Sequence, residues 1–129
     1  MKAVLIVWLV LACCAASWGA RRREITLDMV FDAICRVEDR AGQYAGRVHP
    51  DGVSYDRCGI TQVAVQDCID AGYLPPGVYD LTNPAMADWC GRQYLRLLVA
   101  RWGSLWAATC HWNARREAYA AKVWGRLDL

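Results

Sequence analysis

Apolar and polar residues alternate with different periods along this chain, and the changes mark its elements. Residues 3–16 form a continuous apolar run behind Lys2, closing on the small residues Ala15, Ala16, Ser17, Gly19 and Ala20. That is the layout of a secretory signal peptide, and the run is shorter than the roughly 20 residues a membrane-spanning helix needs. Residues 1–20 are therefore read as a signal peptide and 21–129 as the mature domain, with cleavage after Ser17, Gly19 or Ala20 all open. Val10-Leu11-Ala12-Cys13 loosely matches a bacterial lipobox, which would place a lipid on Cys13. Arg21, Arg22 and Arg23 outnumber Lys2 and oppose simple translocation, so anchoring through this segment stays open.

Past this segment the period becomes helical. Met29, Val30, Ala33, Ile34 and Val37 form an apolar stripe with Asp32, Arg36 and Arg40 opposite, which predicts a helix over 26–40 capped by Thr26. Gly42 and Gly46 lead into a polar stretch, 46–58, where Asp51-Gly52 is a hairpin-type pair. A second helix is predicted over 60–71, stopped by Gly72, and Pro75, Pro76 and Gly77 make 74–82 a loop. The longest helix is predicted over 84–102. Thr82 or Asn83 caps it, Pro84 suits its first turn and Gly103 ends it. Ser104 then starts a helix to Trp112, and a last one runs over 115–127 with a late interruption at Gly125. The fold class is mainly α, with one small irregular or hairpin lobe between the first two helices.

Composition sharpens this. With 129 residues, 56% hydrophobic and 22% charged, the chain is one ordinary globular domain. Seven Trp and six Tyr enlarge the core of so short a chain, and they also suit a groove for flat hydroxylated rings. A formal net charge of +2 is too small to argue for nucleic acid. Beyond the leader, Cys35, Cys58, Cys68, Cys90 and Cys110 allow up to two disulfides and one leftover thiol in an exported domain, although Cys35 and Cys110 also suit buried free thiols. With no CxxC pair and only two His, no metal site is expected.

Glu38 carries the candidate chemistry. It lies four residues after Ile34 and eight after Val30, on or beside the apolar stripe. Desolvation raises a carboxyl pKa, and a raised carboxyl is what a general acid for glycoside cleavage needs.

The order of features after Glu38 narrows the class. The polar loop is followed by Ser54-Tyr55-Asp56-Arg57-Cys58-Gly59-Ile60-Thr61-Gln62-Val63, then by Ala107-Ala108-Thr109-Cys110-His111-Trp112-Asn113-Ala114, then by Tyr119-Ala120-Ala121-Lys122-Val123. This order resembles the lytic transglycosylase family of the lysozyme-like superfamily. That family shows a helix ending in Glu-Ser, a Gly-Leu-Met-Gln-Ile segment, an Ala-x-x-Tyr-Asn-Ala-Gly segment and a Tyr-Ala-x-x-Val helix. The resemblance covers residues 25–127 and is nearest to the small members that open the wall for secretion or conjugation machines or for phage. It implies a lysozyme-like helical domain over 21–129 with a sugar-binding cleft. It also implies Glu38 as catalytic acid/base and Gly59, Thr61, Gln62, Trp112, Asn113 and Tyr119 as substrate-binding residues. The departures are Asp39 for Ser, Thr61 for Met, Trp112 for Tyr and Arg115 for Gly. Asp39 would add a carboxylate beside the catalytic one; Arg115 would face either a substrate carboxylate or solvent.

The activity so implied is cleavage of the β-1,4 bond between N-acetylmuramic acid and N-acetylglucosamine in peptidoglycan, leaving 1,6-anhydro ends. It needs no cofactor and suits an exported monomer of the periplasm or exterior. Its partners would be glycan strands and the envelope-spanning or phage machinery, not nucleic acid. Hydrolysis by a muramidase stays open, because Asp39, Asp51 or Asp56 could serve as base for a water. A non-catalytic glycan- or partner-binding domain, or a small disulfide-linked interaction module, also remains.

Overall fold

The computed structural model describes residues 24–129; the expected signal peptide, Cys13 and the three arginines after it lie outside them. Among the described residues the protein is mainly helical, with five helices and a two-stranded antiparallel sheet. No helix among them is long and apolar enough to cross a membrane.

Helix α1 (Leu27–Glu38) starts where Thr26 accepts a hydrogen bond from the Met29 amide at 3.2 Å. Its buried face is Val30, Phe31, Ala33, Ile34 and Cys35, broader than the predicted stripe, and Met29 and Val37 lie at its edges. Phe31 is covered by the Arg92 guanidinium, 4.4 Å from the ring centroid. Arg92 is held there by Asp88 at 3.0 Å, by Asp32 at 3.6 Å and by Asp28.

The lobe after α1 is built on backbone hydrogen bonds to carboxylates. Asp39, 7% exposed, accepts from the Gln43 and Tyr44 amides at 2.8 and 3.1 Å. Buried Asp56 accepts from the Gly46 amide at 2.8 Å, and its carbonyl meets His49 Nε2 at 2.6 Å. Asp51 closes the Asp51-Gly52 turn by accepting from the Ser54 hydroxyl and from the Ser54 and Val53 amides. These bonds, the hydroxyl first, lower its carboxyl to about 2. That turn joins a bridge at Val48 to strand β1 (Ser54–Tyr55), and β1 pairs with β2 (Ile60–Thr61).

Helix α2 (Gln62–Asp70) therefore begins two residues later than predicted, because Ile60 and Thr61 are drawn into the sheet and Thr61 becomes the cap. Helix α3 (Pro84–Trp102) matches its predicted limits, with Asn83 as cap and Gly103 in the left-handed conformation that ends it. Helix α4 (Leu105–Trp112) starts at Ser104. Helix α5 (Arg116–Trp124) is shorter than predicted at both ends. Asn113 Oδ1 takes the Arg115 amide at 3.0 Å and Arg116 adopts φ +48°, so the chain must restart its helix there. Helix α3 is the spine, packed against α1, α2 and α4, while α5 closes against α4 and α1.

All five cysteines among these residues carry free, buried thiols, where up to two disulfides were expected. Each serves as a small apolar filler in the core. Burial pushes Cys35 and Cys68 up to about 12 and Cys90 to about 11, and Cys58 also rises.

Two tests follow from the core. A methyl added at Gly91 would lie 2.8 Å from both Cys58 Sγ and Phe31 Cε2, so Gly91→Ala overpacks the α1–α3 contact. Denaturant unfolding is expected to show a loss of about 1–3 kcal/mol. The buried thiols hold their protons more tightly folded than unfolded, so their contribution to stability is complete below pH 9 and is lost as pH rises towards 12. Unfolding midpoints under reducing conditions are expected to fall between pH 8 and 11 by more than in a variant with Cys35 and Cys68 changed to alanine.

Candidate active site

Glu38 closes α1, half-buried, facing the middle of the molecule. Tyr119 Oη donates to its Oε1 at 2.7 Å, joining the first helix of the fold to the last. Tyr119 is 5% exposed, and its phenol is raised far above the ordinary tyrosine value. The cause is first burial, then the charge of Glu38 and the hydrogen bond to it. It is therefore a neutral donor at any working pH.

The other oxygen, Oε2, lies against Gly59. A Cβ at that position would sit 3.4 Å from Oε2, and Gly59 has φ +73°, a conformation that L-residues rarely adopt. The hairpin loop thus brings bare backbone against the carboxylate.

Glu38 borders an open hollow of about 240 Å³ together with Asn113, Arg115, Tyr119 and Lys122. Asn113 stands at the end of α4 in extended conformation, its side-chain oxygen committed to the Arg115 amide. A second hollow, about 130 Å³, is lined by Gly59, Thr61, Asp67, Tyr94 and Trp112. Gly59 of this second hollow lies against Glu38 of the first, and Trp112 of the second directly precedes Asn113 of the first. Trp112 is braced by Tyr94, ring centroids 5.2 Å apart at 53°. It offers a partly exposed aromatic wall.

Of the predicted residues, Glu38, Gly59, Asn113 and Tyr119 meet directly around the carboxylate or its hollow, and Thr61 and Trp112 line the neighbouring one. Gln62 does not join them. Its amide donates to the Tyr79 carbonyl at 3.0 Å, and it lines a depression with Gly52, Val53 and Tyr55 that shares Thr61 and Val63 with the second hollow. Asp39 does not crowd Glu38: it leaves the helix as the C-cap, and its carboxylate turns to the loop amides. Asp51 and Asp56 are likewise tied into turns, so none of the three borders the Glu38 hollow. Lys122 and Tyr94 received no role from sequence. Lys122 could have been found from its place three residues after Tyr119, on the same helix face. Among the described residues no group of three or more His, Cys, Asp or Glu is placed to hold a metal ion.

A Gly59→Ala variant tests how tightly the loop is set. The left-handed backbone costs an L-residue roughly 1–2 kcal/mol, while the new methyl meets the Glu38 carboxylate at ordinary contact distance. Thermal unfolding is expected at a midpoint roughly 4–8 °C lower per kcal/mol lost.

Comparison with protein-family models, with curated proteins and with solved structures finds no match for this chain.

Proposed function

We propose that the protein is an exported peptidoglycan lytic transglycosylase with a lysozyme-like fold, in which the two adjoining hollows form the cleft for a glycan strand. The observation that carries this reading is the setting of Glu38. One half-buried carboxylate is gripped on one oxygen by a neutral phenol and faces bare backbone with the other, at the edge of a hollow that holds no second carboxylate.

Tyr119 occupies Oε1, which leaves Oε2 to carry the proton. In the first half-reaction Glu38 gives that proton to the oxygen between N-acetylmuramic acid and N-acetylglucosamine as the bond breaks. The sugar develops oxocarbenium character, offset by its own acetamido group. Glu38, now ionised, takes the proton of the muramyl 6-hydroxyl as that oxygen attacks the anomeric carbon. The product is a 1,6-anhydro sugar, and no water enters.

Hydrolysis would ordinarily call on a second carboxylate to activate or replace water. Asp39, Asp51 and Asp56 are engaged by loop amides elsewhere, and Asp67, which lines the second hollow, is paired with Arg101 at 3.0 Å, which favours the intramolecular route. Trp112 supplies a stacking face beside the reacting bond, and the Asn113 amide nitrogen is available to substrate while its oxygen holds the turn.

Mass spectrometry of muropeptides released from purified sacculi tests this. Wild-type protein is expected to give anhydro-muramyl ends. Glu38→Gln is expected to lose roughly 10²–10⁴-fold in rate, the usual contribution of a positioned acid/base. Reducing ends would assign the protein to the hydrolases. Unchanged wall clearing by the Glu38→Gln variant would remove Glu38 from the chemistry.

A further inference from the structure

We infer that Trp102, laid flat on His111, is a second glycan-binding platform that takes a sugar ring of the strand outside the two hollows. This rests on the glycan-strand reading of those hollows and adds a site to it.

Trp102 is the last residue of α3. Gly103 then turns the chain at φ +91°, and α4 packs back against α3. That return brings His111, in the last turn of α4, against the indole. The ring centroids are 3.7 Å apart and the planes 4° from parallel. No other aromatic pair among the described residues is so close or so flat. Trp102 nevertheless stays 47% exposed, so the imidazole covers one face of the indole and leaves much of the ring in water.

The other exposed tryptophans are set differently. Trp89 meets Tyr79 at a tilt of 49°, and Trp106 meets Trp124 edge-on at 66°. Neither lies flat on a support. A large apolar ring left in water is costly. A ring already fixed on a support loses less freedom when a ligand arrives. A flat apolar face with a polar N–H at its edge suits a pyranose, which carries C–H bonds on its faces and hydroxyls around its rim.

Continuity with the cleft identifies the occupant. On α4, His111 directly precedes Trp112, the aromatic wall of the second hollow. On α3, Trp102 directly follows Arg101, which donates to Asp67 at 3.0 and 3.1 Å, and Asp67 lines that same hollow. Tyr94, which braces Trp112, stands about two turns before Arg101 on the same face of α3. Platform and hollow are thus linked through neighbouring residues on both helices and through one ion pair. The oxygens and N–H groups of that pair can meet sugar hydroxyls. A strand leaving the hollow along this side reaches the Trp102 ring.

NMR of the tryptophan indole N–H resonances tests the inference, with Glu38→Gln protein so that no strand is consumed. The probes are peptide-free wall glycans, a disaccharide and a decasaccharide. Trp102→Phe and Trp112→Phe assign the two resonances of interest. The decasaccharide is expected to move both the Trp102 and the Trp112 signals. Its affinity is expected to fall roughly two- to tenfold in Trp102→Ala, as the loss of one ring stack predicts, and to recover in part in Trp102→Phe. The disaccharide, too short to engage both points at once, is expected to bind more weakly than the decasaccharide.

A decasaccharide that moves Trp112 and leaves Trp102 unmoved overturns the inference and keeps the cleft. Movement of Trp102 alone keeps the platform and sinks the cleft reading. No movement of either signal removes both. A Trp102 signal that responds to anionic phospholipid vesicles or to protein concentration, and not to glycan, gives this ring to a membrane or to a second copy of the chain and overturns the inference. If Trp102→Ala fails to fold, the movement of the Trp102 signal in the parent protein still decides.

Discussion

The hydrogen bond between Tyr119 and Glu38 spans 81 residues of sequence and ties α1 to α5. It constrains both ends of the fold. Glu38 must leave α1 at the angle that brings it to the phenol, and α5 must lie flat enough on α1 to bury Tyr119 while still exposing Lys122. A buried phenol without a partner would be costly, and so would a half-buried carboxylate. Each answers the other. The Gly59 backbone lies against this pair at φ +73°, and that left-handed conformation explains why glycine stands there.

Around this contact the fold uses two kinds of support. The helical part relies on burial. Phe31, Ile34, Leu95, Ala108 and Val123 are almost wholly inaccessible, and α3 lies at the centre of the packing. The lobe between α1 and α2 has little apolar material and relies on carboxylates that cap loose backbone amides. Tyr44 stacked on His49, centroids 4.2 Å apart at 17°, adds a flat cover to this lobe. The division matches the work asked of each part. The helices hold Glu38, Trp112 and Tyr119 in fixed relation, and the lobe positions a loop whose backbone conformation matters more than its side chains.

Much of the helical framework was legible because its signals are local. Asn83, Pro84 and Gly103 mark α3 within a few residues of sequence, and Thr26 and Ser104 do the same for α1 and α4. The start of α2 was not legible, because Ile60 and Thr61 look helical until Ser54 and Tyr55 pair with them across a loop. Glu38, Gly59, Asn113 and Tyr119, which the family resemblance singled out, come together around one carboxylate and its hollow. The direction of each side chain depends on contacts that no short pattern encodes. Gln62 shows this: the path of the loop after α2 brings the Tyr79 carbonyl to its amide and draws it away. Asp39 shows the converse, a carboxylate that looks disruptive beside Glu38 but serves the next turn of chain.

Under the proposed export, the five sealed thiols bear on the order of events in the life of the chain. Once packed, all five are withdrawn from solvent, and Cys35, Cys58, Cys68 and Cys90 hold their protons more tightly, so oxidants meet little thiolate there. Before packing, the same five sulfurs are open to mispairing in any oxidising compartment. Collapse of α1, α2 and α3 onto one another must therefore outrun cross-linking. Under that proposal the pace of folding, rather than any covalent staple, would protect the molecule.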